Sequence, residues 1–252
     1  MTEILAIANQ KGGVGKTTTA INLGAALAAL EQRVLLVDCD PQGNATRGLG
    51  LQAGTPHLYH VLGGDAAAAD AVVDTGFPNL RLLPANRDLV GVEVEVVGVA
   101  GWQRLLADAL APVVGGYDTV LLDCPPSLGH LTVMALAAAD GVLVPLQCEY
   151  YALEGVSELV STIRRVQGTH NNRLELAGVL LTMYDDRTNL SRDVADEIRR
   201  HFSGKVYETV IPRNVRLAEA PSHGLTVLQY DIRCRGAEAY LSAAREMLRR
   251  AA

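Results

Sequence analysis

A glycine-rich stretch near the N-terminus constrains the fold of this chain more than any other segment. Residues 9–19 read N-Q-K-G-G-V-G-K-T-T-T, and an apolar run at residues 4–8 predicts a buried strand before them. A helical pattern follows, with one apolar face formed by Ala20, Leu23, Leu27 and Leu30. Glycines let several backbone N–H groups turn inward, and the start of a helix adds positive potential. Strand, turn and helix together predict a loop that binds nucleotide phosphates.

Two side chains at the end of this loop have the chemistry that a nucleotide needs. We expect Lys16 to reach the outer phosphates and the Thr17 hydroxyl to ligate Mg²⁺. The other residues predicted to line the nucleotide are Lys11, Gly12, Gly13, Val14, Gly15 and Thr18.

The loop departs from the usual pattern G-x-x-x-x-G-K-[ST] at its beginning. Gln10 stands where the first glycine is expected, and Lys11 adds a second lysine beside it. A solvated surface charge is the ordinary alternative for Lys11, but a position beside polyphosphate favours a second cation for phosphate charge. The run K-G-G-V-G-K-T-T resembles the deviant Walker A motif of the ParA/MinD family of P-loop ATPases. The resemblance implies that Lys11 reaches across a dimer interface to the partner's nucleotide.

The rest of the chain alternates short β-branched runs with longer helical patterns. This alternation is typical of an α/β fold in which a mostly parallel, twisted sheet is covered by helices on both faces. Further strands are predicted at residues 33–38, 80–84, 119–123, 141–145 and 176–182, and helices at 130–139, 152–167, 189–202 and 236–250. We also expect short edge strands at residues 206–211 and 226–228. Residues 92–97 alternate Val and Glu, and this pattern leaves open whether the segment is a helix or a strand.

Length and composition favour one soluble domain. The chain has 252 residues, of which 49% are hydrophobic, and it contains no repeat, linker or secretion signal. No apolar run approaches the roughly 20 residues of a membrane span. The four cysteines form no C-x-x-C pair, so reduced thiols are favoured over a metal cluster. We therefore expect a single P-loop ATPase domain over residues 1–252, in the cytoplasm.

One aspartate ends the strand predicted at residues 119–123. Asp123 lies in L-L-D-C-P-P-S, which has the form of a Walker B element. Because ligand groups of parallel α/β sheets come from the carboxyl ends of strands, we expect Asp123 to hold Mg²⁺ opposite Thr17. A carboxylate that only caps its loop is the structural alternative.

Two more aspartates, Asp38 and Asp40, follow the strand predicted at residues 33–38. Aspartates before Pro and Gly are often turn formers, but two of them beside a phosphate loop favour catalysis. The run D-x-D-P-Q-G-N resembles the switch I segment of the ParA family. The resemblance implies that Asp40 orients or activates the attacking water, whereas Asp38 supports Mg²⁺ and its water molecules.

Residue patterns alone do not identify the base of the nucleotide. The segment V-I-P-R-N-V-R-L-A-E-A-P-S, residues 210–222, looks like ParA/Soj chromosome-partitioning ATPases. In that family the corresponding loop contacts adenine, which implies ATP as the nucleotide and base contacts from Pro212 and Asn214. The segments E-Y-Y-A-L-E-G at 149–155 and M-Y-D-D-R-T-N-L at 183–190 extend the resemblance to nearly the whole chain.

The net charge of −6 argues against general attraction to nucleic acid, but positive charge is concentrated late in the chain. Residues 187–216 contain seven Lys or Arg against four Asp or Glu. A solvated helix face is the ordinary explanation. The family resemblance instead implies non-specific, salt-dependent binding of double-stranded DNA by the ATP-dependent homodimer, with contacts from Arg187 and Arg216.

The leading hypothesis is therefore a ParA-type ATPase of chromosome or plasmid partitioning. The resemblance implies a nucleoid-associated dimer that hydrolyses ATP slowly and is stimulated by a ParB-like, centromere-binding partner. The alternative is a MinD-like, membrane-cycling ATPase of division-site placement, because an apolar stripe of six residues runs along the last predicted helix. This stripe is alanine-rich and its polar face carries Glu238 and Glu246, so packing onto the sheet is favoured. A third class, iron-protein-like or synthetase relatives with the same loop, is disfavoured because Cys39 and Cys124 lie directly beside the aspartates.

Overall fold

The strands predicted from the apolar runs lie together in one sheet of eight strands. The computed structural model describes residues 2–149 and 152–251, without the side chains of 152–155 and 157, so Tyr150 and Tyr151 of the segment 149–155 lie outside the described residues. The strands are β1 (Glu3–Ile7), β2 (Val34–Asp38), β3 (Val73–Asp74), β4 (Leu80–Leu83), β5 (Thr119–Asp123), β6 (Gly141–Gln147), β7 (Glu175–Tyr184) and β8 (Val206–Pro212). Their order is β3-β4-β2-β5-β1-β6-β7-β8, and only the β3–β4 pair is antiparallel. The predicted fold class is confirmed.

Helices follow most strands and cover both faces of the sheet. They are α1 (Lys16–Ala29), α2 (Asn44–Gly48), α3 (Leu58–Gly63), α4 (Ala68–Ala71), α5 (Val90–Glu95), α6 (Leu105–Val114), α7 (His130–Ala138), α8 (Ala152–Thr169), α9 (Asn189–His201), α10 (Val215–Glu219), α11 (Val227–Tyr230) and α12 (Arg235–Ala251). Short 3₁₀ turns occupy Arg87–Leu89, Trp102–Arg104 and Ala220–His223. The segment 92–97, whose Val/Glu alternation left helix and strand open, is helical as far as Glu95 in α5 and then forms a turn.

The central strands are buried on both faces, as parallel strands covered by helices must be. Successive side chains of a strand point to opposite faces, so Ala6 joins one apolar layer and Leu5 the other. Leu35 and Leu36 divide in the same way on β2. This double burial fixes the register of β1, β2 and β5, and it brings the carboxyl ends of these three strands to one edge.

The last helix packs onto this sheet. On α12, Tyr240 is 1% exposed and its hydroxyl lies 3.1 Å from that of Thr19 in α1. The other buried apolar residues of α12 are Ala237, Ala243, Ala244 and Met247. The prediction that the apolar stripe packs within the fold is confirmed. Within residues 2–149 and 152–251, no helix combines the length and the hydropathy that crossing a membrane requires.

The edge strand predicted at residues 226–228 is wrong. Thr226 caps the short helix α11, and its side chain accepts a hydrogen bond from the Gln229 N–H at 3.3 Å. The Gln229 side chain in turn accepts from the Thr226 N–H, and Asn22 accepts from the Val227 N–H at 2.7 Å. These side chains satisfy the backbone groups that a neighbouring strand would otherwise bind.

Candidate functional site

The glycine-rich loop connects β1 to α1 at the carboxyl edge of the sheet. Gly13 and Gly15 have φ angles of 75° and 90°, which L-residues with side chains adopt only under strain. The Thr182 hydroxyl donates to the Val14 carbonyl at 2.8 Å, and the Asn9 amide donates to the Pro145 carbonyl at 2.8 Å. The loop is thus anchored to β6 and β7. Neither anchor was predicted, because their partners lie more than 130 residues away in the sequence.

The two lysines of the loop have different surroundings. Lys16 is 7% exposed, and its ammonium donates to the Lys11 carbonyl at 3.2 Å, so its charge lies within the loop. Burial lowers the pKa of Lys16, and the nearby Asp123 opposes this shift. The Lys11 side chain is 38% exposed, and its ammonium lies 3.0 Å from a carboxylate oxygen of Glu149. The Gln147 side chain hydrogen-bonds the other oxygen of this carboxylate. Glu149 was not predicted as a partner of Lys11.

Asp38 is held by several protein donors. One of its oxygens accepts from the N–H and the hydroxyl of Thr46 at 2.8 and 2.7 Å, and the other accepts from the Asp40 N–H at 3.2 Å. Burial raises the pKa of Asp38 to about 6, although the hydrogen bonds from Thr46 act in the opposite direction. Asp38 therefore orders the segment that carries Asp40.

Asp40 is 6% exposed and begins the turn after β2. Its carboxylate accepts from the Gln42 N–H at 2.9 Å, and its carbonyl accepts from the Gly43 N–H at 2.8 Å. Asp40 lies near enough to Lys16 to oppose the lowering of the lysine's pKa. Asp40 and Lys16 are therefore within electrostatic range of each other.

Asp123 ends β5 and is fully buried, directly across from Asp38 in the register of β2 and β5. Neither of its carboxylate oxygens has a hydrogen-bond partner within the described residues. Burial, and then the charge of Asp38, raise the pKa of Asp123 well above its usual range, and the Thr17 hydroxyl lies close to this carboxylate but outside hydrogen-bond geometry. A buried carboxylate without a donor, beside a threonine hydroxyl, fits a hard divalent cation that prefers oxygen ligands.

The residues predicted to contact the base lie beside the loop. Pro212 and Asn214 line a cavity of about 390 Å³ together with Gly15 and Thr18. The Asn214 side chain accepts from the Arg216 N–H at 2.8 Å and so begins α10. Most of the remaining lining is apolar, as a planar base requires. The loop and this cavity together can hold the phosphates and the base of one nucleotide.

Arg187 and Arg216 do not belong to this site. Arg187 donates two hydrogen bonds to Asp185, at 2.8 and 2.7 Å. Arg216 lies 2.8 Å from a carboxylate oxygen of Glu219 and 3.4 Å from one of Asp231. Both arginines are solvent-facing but already paired with carboxylates, which sequence spacing did not indicate.

The two cysteines beside the strand-end aspartates belong to the core. Cys39 and Cys124 are both 1% exposed and pack in the same apolar layer. Burial raises the pKa of both thiols well above the usual range, so both are protonated. These thiols do not face solvent, as ligands of a cluster shared between two subunits would.

Comparisons with known proteins agree with this geometry. The family model described as an AAA domain matches residues 2–176. The chromosome partitioning protein ParA of Caulobacter vibrioides is 58% identical, with 98% of this chain and 94% of that protein covered. The sporulation initiation inhibitor protein Soj of Bacillus subtilis is 53% identical, and 98% of each chain is covered. A cobyrinic acid a,c-diamide synthase from Mycobacterium smegmatis, solved with ADP and magnesium, has a TM-score of 0.87 and 43% identity, with 99% of this chain and 95% of that chain covered.

Proposed function

The chain belongs to the ParA/Soj family of chromosome-partitioning ATPases, and on that premise we propose that it binds ATP with Mg²⁺ and hydrolyses it to ADP and phosphate. One observation carries the proposal: the anchored glycine loop adjoins a largely apolar cavity that contains Pro212 and Asn214. A phosphate loop next to a base-sized cavity fits a whole nucleotide. We assign the phosphate contacts to residues 11–18 and the adenine contacts to the cavity.

In this proposal three carboxylates have different roles in ATP hydrolysis. Asp123, with Thr17, would hold Mg²⁺, because its buried oxygens have no other partner within the described residues. The ion supplies neutralisation of phosphate charge when it is bound. Asp40 orients the attacking water, and Asp38 positions both the Asp40 segment and water around the metal. Phosphoryl transfer depends chiefly on such positioning and charge neutralisation.

We further propose that ATP joins two subunits face to face. Lys11 lies at the outer side of its own loop and is partly exposed, whereas Lys16 is buried within that loop. A partly exposed lysine can leave Glu149 and reach the phosphates of a second copy. Each nucleotide is then held by Lys16 of one subunit and Lys11 of the other.

The dimer would bind double-stranded DNA without sequence preference, through Arg187 and Arg216, and would remain on the nucleoid. Two subunits double the number of phosphate contacts, which makes DNA binding depend on ATP. Their carboxylate neighbours keep the affinity of a single subunit low. A ParB-like partner would stimulate the slow hydrolysis and release the DNA.

A membrane-cycling function is the weaker candidate. Four of the six residues of the apolar stripe on α12 are buried, and Leu241 and Leu248 are partly buried against the same apolar layer, so the stripe has little apolar surface left for a bilayer. If vesicles of anionic lipid sediment the protein in the presence of ATP, and removal of residues 236–252 abolishes this, the partitioning proposal loses to the membrane alternative.

The test of the proposed function is DNA binding by the purified protein with ATP, with ADP and without nucleotide, over a series of salt concentrations. We expect binding only with ATP, with an affinity that falls steeply as salt rises. Lys16→Ala should bind as the nucleotide-free protein does. Equal DNA affinity in all three nucleotide states would refute an ATP-dependent DNA-binding dimer.

A further inference from the structure

A second cavity lies directly behind the turn that carries Asp40. It has a volume of about 290 Å³, and the polar residues that line it are Gln42, Thr46, Arg47, Gln52, Asn86 and Arg87. The lining residues thus include two arginines and three residues with side-chain amides, and none of them carries a carboxylate. Two arginines without a carboxylate among the lining residues favour an anionic ligand.

The two arginines of this cavity differ from those proposed to bind DNA. Arg187 and Arg216 are each paired with carboxylates, whereas Arg47 and Arg87 form no ion pair within the described part of the chain. The Arg47 guanidinium donates instead to the Gln42 carbonyl at 2.9 Å and to the Asn44 side chain at 3.0 Å. It is therefore held in place by neutral groups and keeps its full charge for a ligand.

The walls of the cavity are connected to both hydrolytic aspartates. The Gln42 N–H binds the Asp40 carboxylate at 2.9 Å, and Thr46, which also lines the cavity, binds Asp38 at 2.7 Å. The Thr46 hydroxyl accepts from the Ala85 N–H at 3.1 Å and so joins the two sides of the cavity. At Gly43 a Cβ would lie 2.7 Å from the Ala85 carbonyl, so the two segments approach as closely as glycine allows.

We propose that this cavity is a second anion site, which binds the phosphate group of a small soluble compound and thereby slows ATP hydrolysis. Guanidinium groups bind phosphate through paired, charge-assisted hydrogen bonds. An anion shared by Arg47 and Arg87 would fix the turn that begins at Asp40. Fixing the turn holds the Asp40 oxygen that accepts from the Gln42 N–H in this resting position and opposes its movement towards the attacking water. Phosphate binding at this cavity does not depend on the proposed function, whereas its effect on ATP hydrolysis rests on that function.

The binding test separates this cavity from the phosphate loop. Inorganic phosphate is titrated into the full chain at constant ionic strength and followed by ³¹P NMR. Lys16→Ala removes the buried lysine of the loop and should leave one saturable site. Adding Arg87→Gln to that variant should lower the remaining affinity by at least about tenfold. Arg245→Gln, which removes an exposed arginine of α12 outside the cavity, is the matched control and should change nothing.

Two further probes identify the source of the phosphate group. Glycerol 3-phosphate should bind as phosphate does if a phosphorylated metabolite is recognised, while glycerol should not bind. Binding of inorganic phosphate alone would assign the site to the free ion. If Lys16→Ala shows no saturable phosphate binding, or if Arg87→Gln leaves its affinity unchanged, the second anion site does not exist.

The kinetic test uses the otherwise unchanged chain with and without Arg87→Gln. Phosphate at the loop competes with ATP and raises KM, whereas phosphate at the cavity should lower kcat about twofold or more at saturating ATP. Arg87→Gln should abolish the effect on kcat and leave the effect on KM. An unchanged kcat in the unsubstituted protein would overturn the regulatory half. Neither measurement involves DNA, so failure of the proposed DNA binding would appear separately, in the DNA-binding experiment. Failure of the proposed ATP hydrolysis would appear as no turnover with or without phosphate, while the phosphate-binding result would stand.

Discussion

Two regions of the molecule hold their charged side chains in opposite ways. One is the carboxyl edge of the sheet around the glycine loop (the loop edge), and the other consists of the exposed arginines Arg187 and Arg216 (the arginine surface). At the loop edge, Asp38, Asp40, Asp123 and Lys16 are all at most 7% exposed. On the arginine surface, the Arg187 side chain is 82% exposed, and Arg216 is 46% exposed. Buried charges are costly to separate from their partners and are therefore held in fixed positions. Exposed charges are held weakly and can exchange partners.

The loop edge therefore suits functions that need atoms in fixed positions, whereas the arginine surface suits binding that needs only accessible positive charge. Water orientation and metal binding need oxygen atoms in defined positions, and strand ends in register provide them. Binding to a DNA backbone needs only positive charge at roughly the right spacing. Substitutions at the loop edge should therefore have large effects, and those on the arginine surface should have graded, salt-dependent effects.

The largest effect is expected from Lys16→Ala. The ammonium lies inside the loop, so under the proposed function its loss removes a desolvated charge contact to the phosphates. We expect ATP affinity to fall at least about a hundredfold, as measured by calorimetry. Lys205→Ala, which removes an exposed lysine paired with Glu175, is the control and should bind ATP normally. Unchanged affinity in Lys16→Ala would remove the glycine loop from the nucleotide site.

The next largest effect is expected from Asp40→Ala. Loss of a group that orients or activates water typically costs between about 10² and 10⁴ in rate, so kcat should fall in that range. ATP affinity should change little, because Asp40 is not among the groups that bind phosphate. Asp65→Ala, at an exposed position remote from the loop, provides the control for both quantities. Turnover retained in Asp40→Ala would exclude this carboxylate from the mechanism.

The positions of the buried aspartates at the loop edge could be predicted from the sequence, because the burial of a strand determines where its last residue lies. A strand that is apolar on both faces must lie inside a parallel sheet, and its terminal aspartate must then lie at the carboxyl edge. Asp38 and Asp123 follow this rule and are direct neighbours in the sheet. What spacing could not provide was the contact of Thr46 with Asp38, since that side chain returns through a separate short helix.

The exposed region was less predictable for the same physical reason. Ion pairs such as Arg187 with Asp185 depend on rotamers that carry little energy and leave no periodic pattern. The wrong strand at residues 226–228 has a related cause, because two apolar residues fit a strand and a capped turn equally well. Only the neighbouring cap and the distant Asn22 side chain decide the outcome there. Long-range side-chain contacts therefore limit prediction more than backbone periodicity does.

An intermediate effect is expected from charge reversal on the arginine surface. Arg187→Glu combined with Arg216→Glu should weaken ATP-dependent DNA binding about tenfold at low salt and reduce the slope of affinity against salt. ATP affinity and dimerisation should stay as they are, because both side chains lie outside the nucleotide site. Fluorescence anisotropy with labelled duplex DNA measures the change. Arg245→Glu combined with Arg249→Glu, at two exposed positions of α12, makes the same change in net charge, and an equal loss in that variant would mean that no local surface binds DNA.

Lys11 shares features of both regions, because it belongs to the glycine loop but is partly exposed. Its ion pair gives the prediction with the smallest expected effect and the most specific outcome. Its ion pair with Glu149 joins groups that are 38% and 46% exposed, so the pair is weak and can open. If Lys11 must leave Glu149 to reach a second subunit, Glu149→Gln should tighten the ATP-bound dimer about two- to fivefold. Sedimentation velocity in an Asp40→Ala background avoids hydrolysis during the measurement.

The comparison variant for this test is Lys11→Ala in the same Asp40→Ala background. Without the lysine, the dimer should weaken whether or not Glu149 is changed, because Glu149 acts only by holding Lys11. An effect of Glu149→Gln that persists without Lys11 would show that Glu149 touches the partner directly. Weaker dimerisation in Glu149→Gln would mean that the pair prepares Lys11 for the partner. The ion pair between Lys11 and Glu149 would then be part of the preorganised site. Lys11 would in that case belong to the loop edge, where side chains are held in fixed positions.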